Sequence, residues 1–329
     1  MATAANTNAL QASANVWLPP PGVTGHAGEP IPPESNFFVP PPPEIGAVKS
    51  AHTSLKAGVK PKSQATRLKL VALWLGVGLV IGFLGRVLLG GLRRPEDLLS
   101  LSWVPVGAIF GVIFGFASWL MTRFKHNCSF VGTEGSVEIA CKGTPENITT
   151  VKPFFFKGVV AVSTSVIHVH KSKRYVHTAF CYSWYPADSE RASYEISGRH
   201  YAEAGNPPPG HPFNLARALE NTWYAHLIPR ADAELAQRGN ITFYMGDNRW
   251  ARLGRSFLEI VDKAGKVSRC ESAEIALARL YNGMFTLTRK DSKSGFFGPT
   301  GVFVFEFGKM HNGRLFLIAF ESLLGIKLV

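Results

Sequence analysis

"ITFYMGDNRWARLGRSFLEI", residues 241–260, decides how the C-terminal region is read. Two runs of apolar alternation flank a Gly-Asp-Asn corner. Gly, Asp and Asn tolerate the positive φ of a tight hairpin, so the stretch reads as strand, turn, strand rather than as a catalytic loop.

The same period-two pattern extends on both sides of it. "GSVEIACKG", "AVSTSVIHVH", "RYVHTAFCYSWY" and "ASYEISG" precede it, and "KVSRCES", "GMFTLTRK" and "GVFVFEF" follow. Such short runs, rich in Val, Ile, Thr, Tyr and Phe and split by turn residues, predict antiparallel strands. Within 213–227 the period becomes helical. Phe213, Ala216, Leu219 (or Glu220), Trp223 and Leu227 recur every three or four residues, which predicts an amphipathic helix that Pro229 ends or kinks. "RADAELAQRG" adds a helical stretch closing at Gly239, and Asn312 is placed to cap a last helix, "NGRLFLIAFESLLG". Strands followed by a helix thus occur twice, as units at 128–238 and 239–329, and the expected fold class is α+β. The first unit opens irregularly around 129–153, where "VKPFFFKG" interrupts the pattern.

Upstream lie two apolar runs, "LVALWLGVGLVIGFLGRVLLGGL" (70–92) and "LSWVPVGAIFGVIFGFASWLM" (101–121), joined by "RRPEDLLS". Each suffices to cross about 30 Å of hydrocarbon at 1.5 Å per residue. Residues 67–122 therefore predict a two-helix transmembrane hairpin, in preference to two buried core helices, which would carry a polar stripe. Gly78 and Gly82 on the first run, and Gly107, Gly111 and Gly115 on the second, form small-residue faces for helix packing, with homo-oligomerisation as a secondary use. Arg86 is expected to snorkel. Lys49, Lys56, Lys60, Lys62, Arg67 and Lys69 precede the first run, and Arg123 and Lys125 follow the second. Only Arg93 and Arg94 lie between the runs, so the positive-inside rule puts both termini on the cytoplasmic side of a plasma membrane, and the sequons at Asn147 and Asn240 would carry no glycan.

Residues 1–66 hold eleven of the 22 prolines and predict a disordered proline-rich tail. "FFVPPPPE" would be a spacer or a docking peptide for a protein partner. The opening "MATAANTNALQASANVW" has no basic n-region or apolar h-region, so no signal peptide is expected.

A small antiparallel sheet closed by a C-terminal helix, carried here by "FYMGDNRWARLGRSFLEI", "NGMFTLTRK" and the last helix, resembles the pleckstrin-homology (PH)-like layout. The whole arrangement is similar to uncharacterised bacterial membrane-anchored proteins with tandem PH-like domains. The resemblance implies a two-helix transmembrane hairpin followed by two PH-like units, which bind lipids, peptides or protein partners rather than catalyse.

The net charge of +12 divides as +2 over 1–67, +2 over 68–121 and +8 over 122–329, spread rather than blocked. That permits attraction to an anionic surface, and no signature of a nucleic-acid-binding module accompanies it, so nucleic acid is not an expected partner. Arg249, Arg252 and Arg255 are the candidates for binding anionic lipid headgroups, since guanidinium pairs bidentately with phosphate. Trp250 is expected in the core. His168, His170 and His177 form a weaker alternative, a zinc site on neighbouring strands that would make the protein a membrane-surface enzyme. Cys128, Cys141, Cys181 and Cys270 lack metal spacing and read as reduced thiols. No nucleophile elbow, P-loop or dinucleotide fingerprint occurs, and no cofactor is expected. The reading is a membrane-anchored, non-catalytic binding or scaffold protein.

Overall fold

The computed structural model describes residues 17–32, 38–54, 64–90, 104–121, 125–142, 148–187, 189, 191–202, 207–295 and 298–329. Residues 1–16, the connecting segment 93–100, Arg123, Asn147 and the side chains of Arg86 and Lys125 lie outside this description.

Four α-helices and four antiparallel sheets make up the described residues. Strand β1 (Val48–Thr53) comes first, then helices α1 (Gln64–Gly90) and α2 (Val104–Met121). Strands β2 (Lys125–Gly132), β3 (Gly135–Lys142) and β4 (Ile148–Phe155) complete a sheet of order β1-β2-β3-β4. A three-stranded sheet follows, β5 (Val159–Lys171), β6 (Arg174–Pro186) and β7 (Tyr194–His200), and then helix α3 (Pro212–Arg238). The pattern repeats with β8 (Asn240–Tyr244), β9 (Trp250–Gly254), β10 (Phe257–Val261) and β11 (Val267–Glu271) in one sheet. Strands β12 (Ile275–Tyr281), β13 (Met284–Gly295) and β14 (Gly298–Glu306) form the last sheet, and α4 (Gly313–Leu324) closes the chain.

The largest correction concerns the tail. Residues 17–32 and 38–54 are built into the first unit, and β1 pairs with β2 from Val48↔Gly132 to Thr53↔Cys128. The first sheet thus begins 80 residues before the expected boundary at 128, and the apolar helices interrupt it. Phe38, Val39, Ile45 and Ala51 are buried with Phe130, Val137 and Ile139. Trp17 packs edge-on to Phe38 and Phe130, with ring centroids 5.4 and 5.2 Å away. Proline content misleads here for a physical reason. Proline disfavours helices and central strands, but an extended, donor-free backbone can lie over a sheet without orphaning N–H groups. The apolar residues between the prolines then supply the burial.

The "VKPFFFKG" interruption resolves into β4. Pro153 sits opposite Val137 in that strand, which is the edge of its sheet, where a missing donor is tolerated. Pro229 likewise fails to end α3, a 27-residue helix that continues past it to Arg238. Residues 228–230 are all exposed, so the backbone groups Pro229 leaves unpaired can meet solvent. Gly239, at φ 73°, closes the helix through its N–H to the Leu235 carbonyl, as the sequence predicts.

α1 and α2 pack antiparallel along the glycine faces. A Cβ on Gly78 would lie 2.5 Å from the Gly107 carbonyl, one on Gly111 2.8 Å from the Leu75 Cα, and one on Gly115 3.3 Å from Val71. Gly82 is buried too. Outside this seam the helices are apolar and uncovered, with Leu73 60%, Phe116 61% and Leu88 81% exposed. Gln64–Gly85 of α1 is long and apolar enough to cross a membrane, and Val104–Leu120 is a shorter apolar helix.

One core runs through both repeats, with Leu219, Trp223 and Leu227 of α3 sharing a single buried cluster with Phe156 and Trp184 of the first repeat and Phe243 and Phe316 of the second. Asn312 joins the repeats by an unexpected route. It precedes α4 at φ 55° and makes no side-chain cap. Its Oδ1 instead accepts the N–H of Val162 (3.0 Å) and the indole N–H of Trp223 (3.1 Å), and its Nδ2 donates to the Val160 carbonyl (3.1 Å).

Candidate functional site

A pocket of about 380 Å³ lies where the tail, the first sheet and the start of α3 meet. The tail supplies His26 and β1 supplies His52; Asn127, Cys128 and Ser129 come from β2, Glu138 from β3, and Thr150 and Lys152 from β4. Gly210, His211, Pro212 and Leu215 close the other wall. Glycine at 210 lets this wall approach closely, since a Cβ there would lie 2.5 Å from His52 Nε2 and displace the ring. Pro212 stands at the first helical position, where its missing N–H is harmless. His211 caps α3, its Nδ1 accepting the Phe213 N–H at 3.2 Å. Its Nε2 then carries the proton and donates to the Arg199 carbonyl at 3.2 Å.

His26 is the best-held side chain. Its two ring nitrogens meet Ser50 Oγ at 2.8 Å and Ser129 Oγ at 2.9 Å, so one imidazole ties the tail to β1 and β2. Burial, and secondarily the neighbouring His52, lower its pKa to about 3. Burial also lowers His52, against the pull of Glu29. The Cys128 thiol is pushed up to about 12, chiefly by burial, so it is no thiolate at neutral pH. Tyr194 donates to Glu138 at 3.2 Å, and burial together with that carboxylate raises its pKa. The lining is therefore polar, with hydrogen-bonding groups beside one acidic and one basic side chain, Glu138 and Lys152, and is suited to holding a polar ligand.

A second polar node links the repeats. Glu220 of α3 is buried, accepts from Thr164 Oγ1 at 2.6 Å and Tyr224 OH at 3.4 Å, and lies 3.8 Å from the Arg314 guanidinium. Burial raises its pKa, against the Thr164 hydrogen bond and the Arg314 charge.

The three arginines do not converge. Arg249 lies in the β8–β9 turn, 3.8 Å from Asp247. Arg252 faces outward on β9, 3.9 Å from Glu259. Arg255 is exposed in the next turn, about 20 Å from Arg249 at 3.3 Å per strand residue. It also adjoins Gly254, which pairs with Asn240 just past the C-terminal end of α3. That end is about 40 Å along the helix from the pocket. The "GDN" corner is the expected hairpin turn, with Asp247 and Asn248 at φ 53° and 55°. Trp250 is 41% exposed rather than in the core and leans on Tyr244, centroids 4.8 Å apart. Ala251 and Leu253 occupy the inner face of β9 instead.

The histidines are also divided. His177 pairs with Val169 across the β5–β6 ladder and His168 with Thr178, so His177 shares the face of Val169 while His168 points to the other. Among the described residues, no group of three His, Cys, Asp or Glu side chains is placed to hold a metal. The sequence reading missed His26 and His52, because both lie in the segment assigned to disorder. A seryl-flanked buried histidine leaves no local signal.

No family model matches this sequence, and no curated protein matches it.

Proposed function

We propose that this chain is a membrane-anchored, non-catalytic binding or scaffold protein, in which two PH-like units stand beside a transmembrane helical hairpin. The repeated order of a four-stranded sheet, a three-stranded sheet and a closing helix supports the PH-like reading. The observation that carries the membrane reading is the place of the helices within the first sheet. The chain leaves β1 at Thr53 and returns in β2 at Cys128, and those residues pair with each other. One crossing would separate the paired strands by a bilayer, so α1 and α2 cross together or not at all. Their exposed apolar surface favours crossing, since uncovered patches of this extent seek lipid or a partner.

With the Lys/Arg distribution, both termini and both units lie on the cytoplasmic side of a bacterial inner membrane. Because the glycine faces are used within one chain, a homo-oligomer would form through other surfaces. The buried, undissociated Cys128 thiol and the unprotonated His26 fit a pocket that binds rather than reacts. The ligand is a protein partner or the anionic leaflet. Alkaline carbonate extraction of membranes holding the full chain tests the anchor. Retention in the pellet, with protease digesting both units only from the cytoplasmic face, is expected. Release into the supernatant refutes it.

A further inference from the structure

The β5–β6 hairpin reaches beyond its sheet. β7 covers β6 only from Trp184 to Thr178, where Thr178 pairs with His200. From there to the turn at Ser172–Lys173, β5 and β6 form a bare two-stranded ribbon, about 13 Å from Thr178 to Arg174 at 3.3 Å per residue. Such a ribbon is marginal by itself in water. It also exposes Val176 by 39%, and just below its base, opposite Ala179 and Phe180, Ile167 and Val166 are 57% and 39% exposed. Lys171, Lys173 and Arg174 crown it, and no acidic residue occurs from Gly158 to Ala187. Among the described residues these three cations make no ion pair, whereas Arg249 and Arg252 do.

The ribbon rises from the end of the first unit that carries the apolar helices. The His200 ring, at its base, lies 5.9 Å from that of His211. Gly210 abuts the ring of His52. Two residues later Ser54, the last described residue before α1, exchanges hydrogen bonds of 3.0 Å with Asn127. Lys125 is in turn only four residues past the end of α2, within about 14 Å of it.

We propose that this ribbon is a second membrane contact, resting Val176 in the interface and its three cations among the anionic headgroups of the leaflet beside the hairpin. The inference rests on the membrane reading above. It moves lipid recognition from the dispersed arginines of the second unit to the tip of the first. Each basic residue near an anionic surface strengthens association by about fivefold, so the ribbon docks on charged vesicles and not on neutral ones.

The test uses the full chain with Cys181→Ser and Ser172→Cys, labelled at the turn with a polarity-sensitive fluorophore. It is reconstituted in phosphatidylcholine vesicles with or without phosphatidylglycerol. The expected result is blue-shifted emission and roughly fivefold weaker quenching by aqueous iodide on the anionic vesicles, reversed by high salt. In the Lys171→Glu, Lys173→Glu, Arg174→Glu variant the shift disappears while the chain stays carbonate-resistant. Equal emission on both vesicles with the chain incorporated overturns the ribbon contact and leaves the anchor standing. A chain that fails to incorporate overturns the anchor, and this proposal with it.

Discussion

Acidification should release the tail, and His26 sets the size of the effect. The neutral ring bridges Ser50 and Ser129, and burial with His52 nearby holds its pKa at about 3, against 6.5 for a free imidazole. Between those values the released tail takes up a proton that the docked tail refuses, so docking is fully present above pH 6.5 and weakens as pH falls. Each unit in that window removes about 1.4 kcal/mol. Going from pH 7.5 to 5.0 therefore removes about 2 kcal/mol, or roughly 30-fold in the opening equilibrium. The assay is hydrogen exchange of two amides that bond within the docked tail, Trp17 to the Phe38 carbonyl and Ala51 to the Thr24 carbonyl. Their protection, corrected for intrinsic rates, should fall about 30-fold in detergent-solubilised wild type. In His26→Gln the neutral amide cannot titrate, and the fall should shrink to the background from His52, which burial also lowers. An equal fall in both proteins, or none in wild type, would refute the reasoning.

Gly111→Leu should force α1 and α2 apart, since even a Cβ there meets the Leu75 backbone at 2.8 Å, whereas Gly76→Leu faces open space. Intramolecular disulfide trapping between cysteines introduced at Val71 and Gly115 should drop in the first and persist in the second. Asn312→Gly keeps the left-handed backbone but orphans Val162 N–H and Trp223 Nε1, a loss of about 2–4 kcal/mol from two unpaired donors in urea denaturation. Asn312→Asp, which retains the acceptor, should recover part of it. Glu220 has a raised pKa, so the folded state binds its proton more tightly than the unfolded state. Its ionisation therefore weakens the fold as pH climbs from 4.5 through the raised value. Glu220→Gln should flatten that part of the stability curve, and an unchanged slope would show that the carboxylate is not the source.

Much of the C-terminal region was legible locally. "NITFYMG" and "SFLEIVD" correspond to β8 and β10, and the Gly-Asp-Asn corner turns where its positive-φ residues demand. Period two marked β3, β5, β6 and β7 because each has an inner face to fill. Where two signals conflicted, the local one misled. Pro153 and Pro229 argued for breaks, yet an edge strand and a solvent-facing helical turn tolerate them. The site was much less legible. His168, His170 and His177 look clustered in sequence, but cross-strand pairing and a register shift between Val169 and His170 put His168 and His177 on opposite faces.

By itself the sequence determined the two apolar helices, the α+β class and the repetition of strands before a helix. Each follows from interactions within about a dozen residues, in spacing, turn chemistry and mean apolarity. Tertiary structure alone decided that Val48–Thr53 is the first strand of a sheet resumed at Lys125, across the whole helical pair. It also decided that His26 joins the tail to Ser129, 103 positions away, and that Asn312 binds β5 instead of capping its own helix. Such pairings bring together groups whose sequence separation carries no periodic signature. They become favourable only once the core around Phe38, Phe130 and Ile139 has formed and excluded water from the hydrogen bonds beside it.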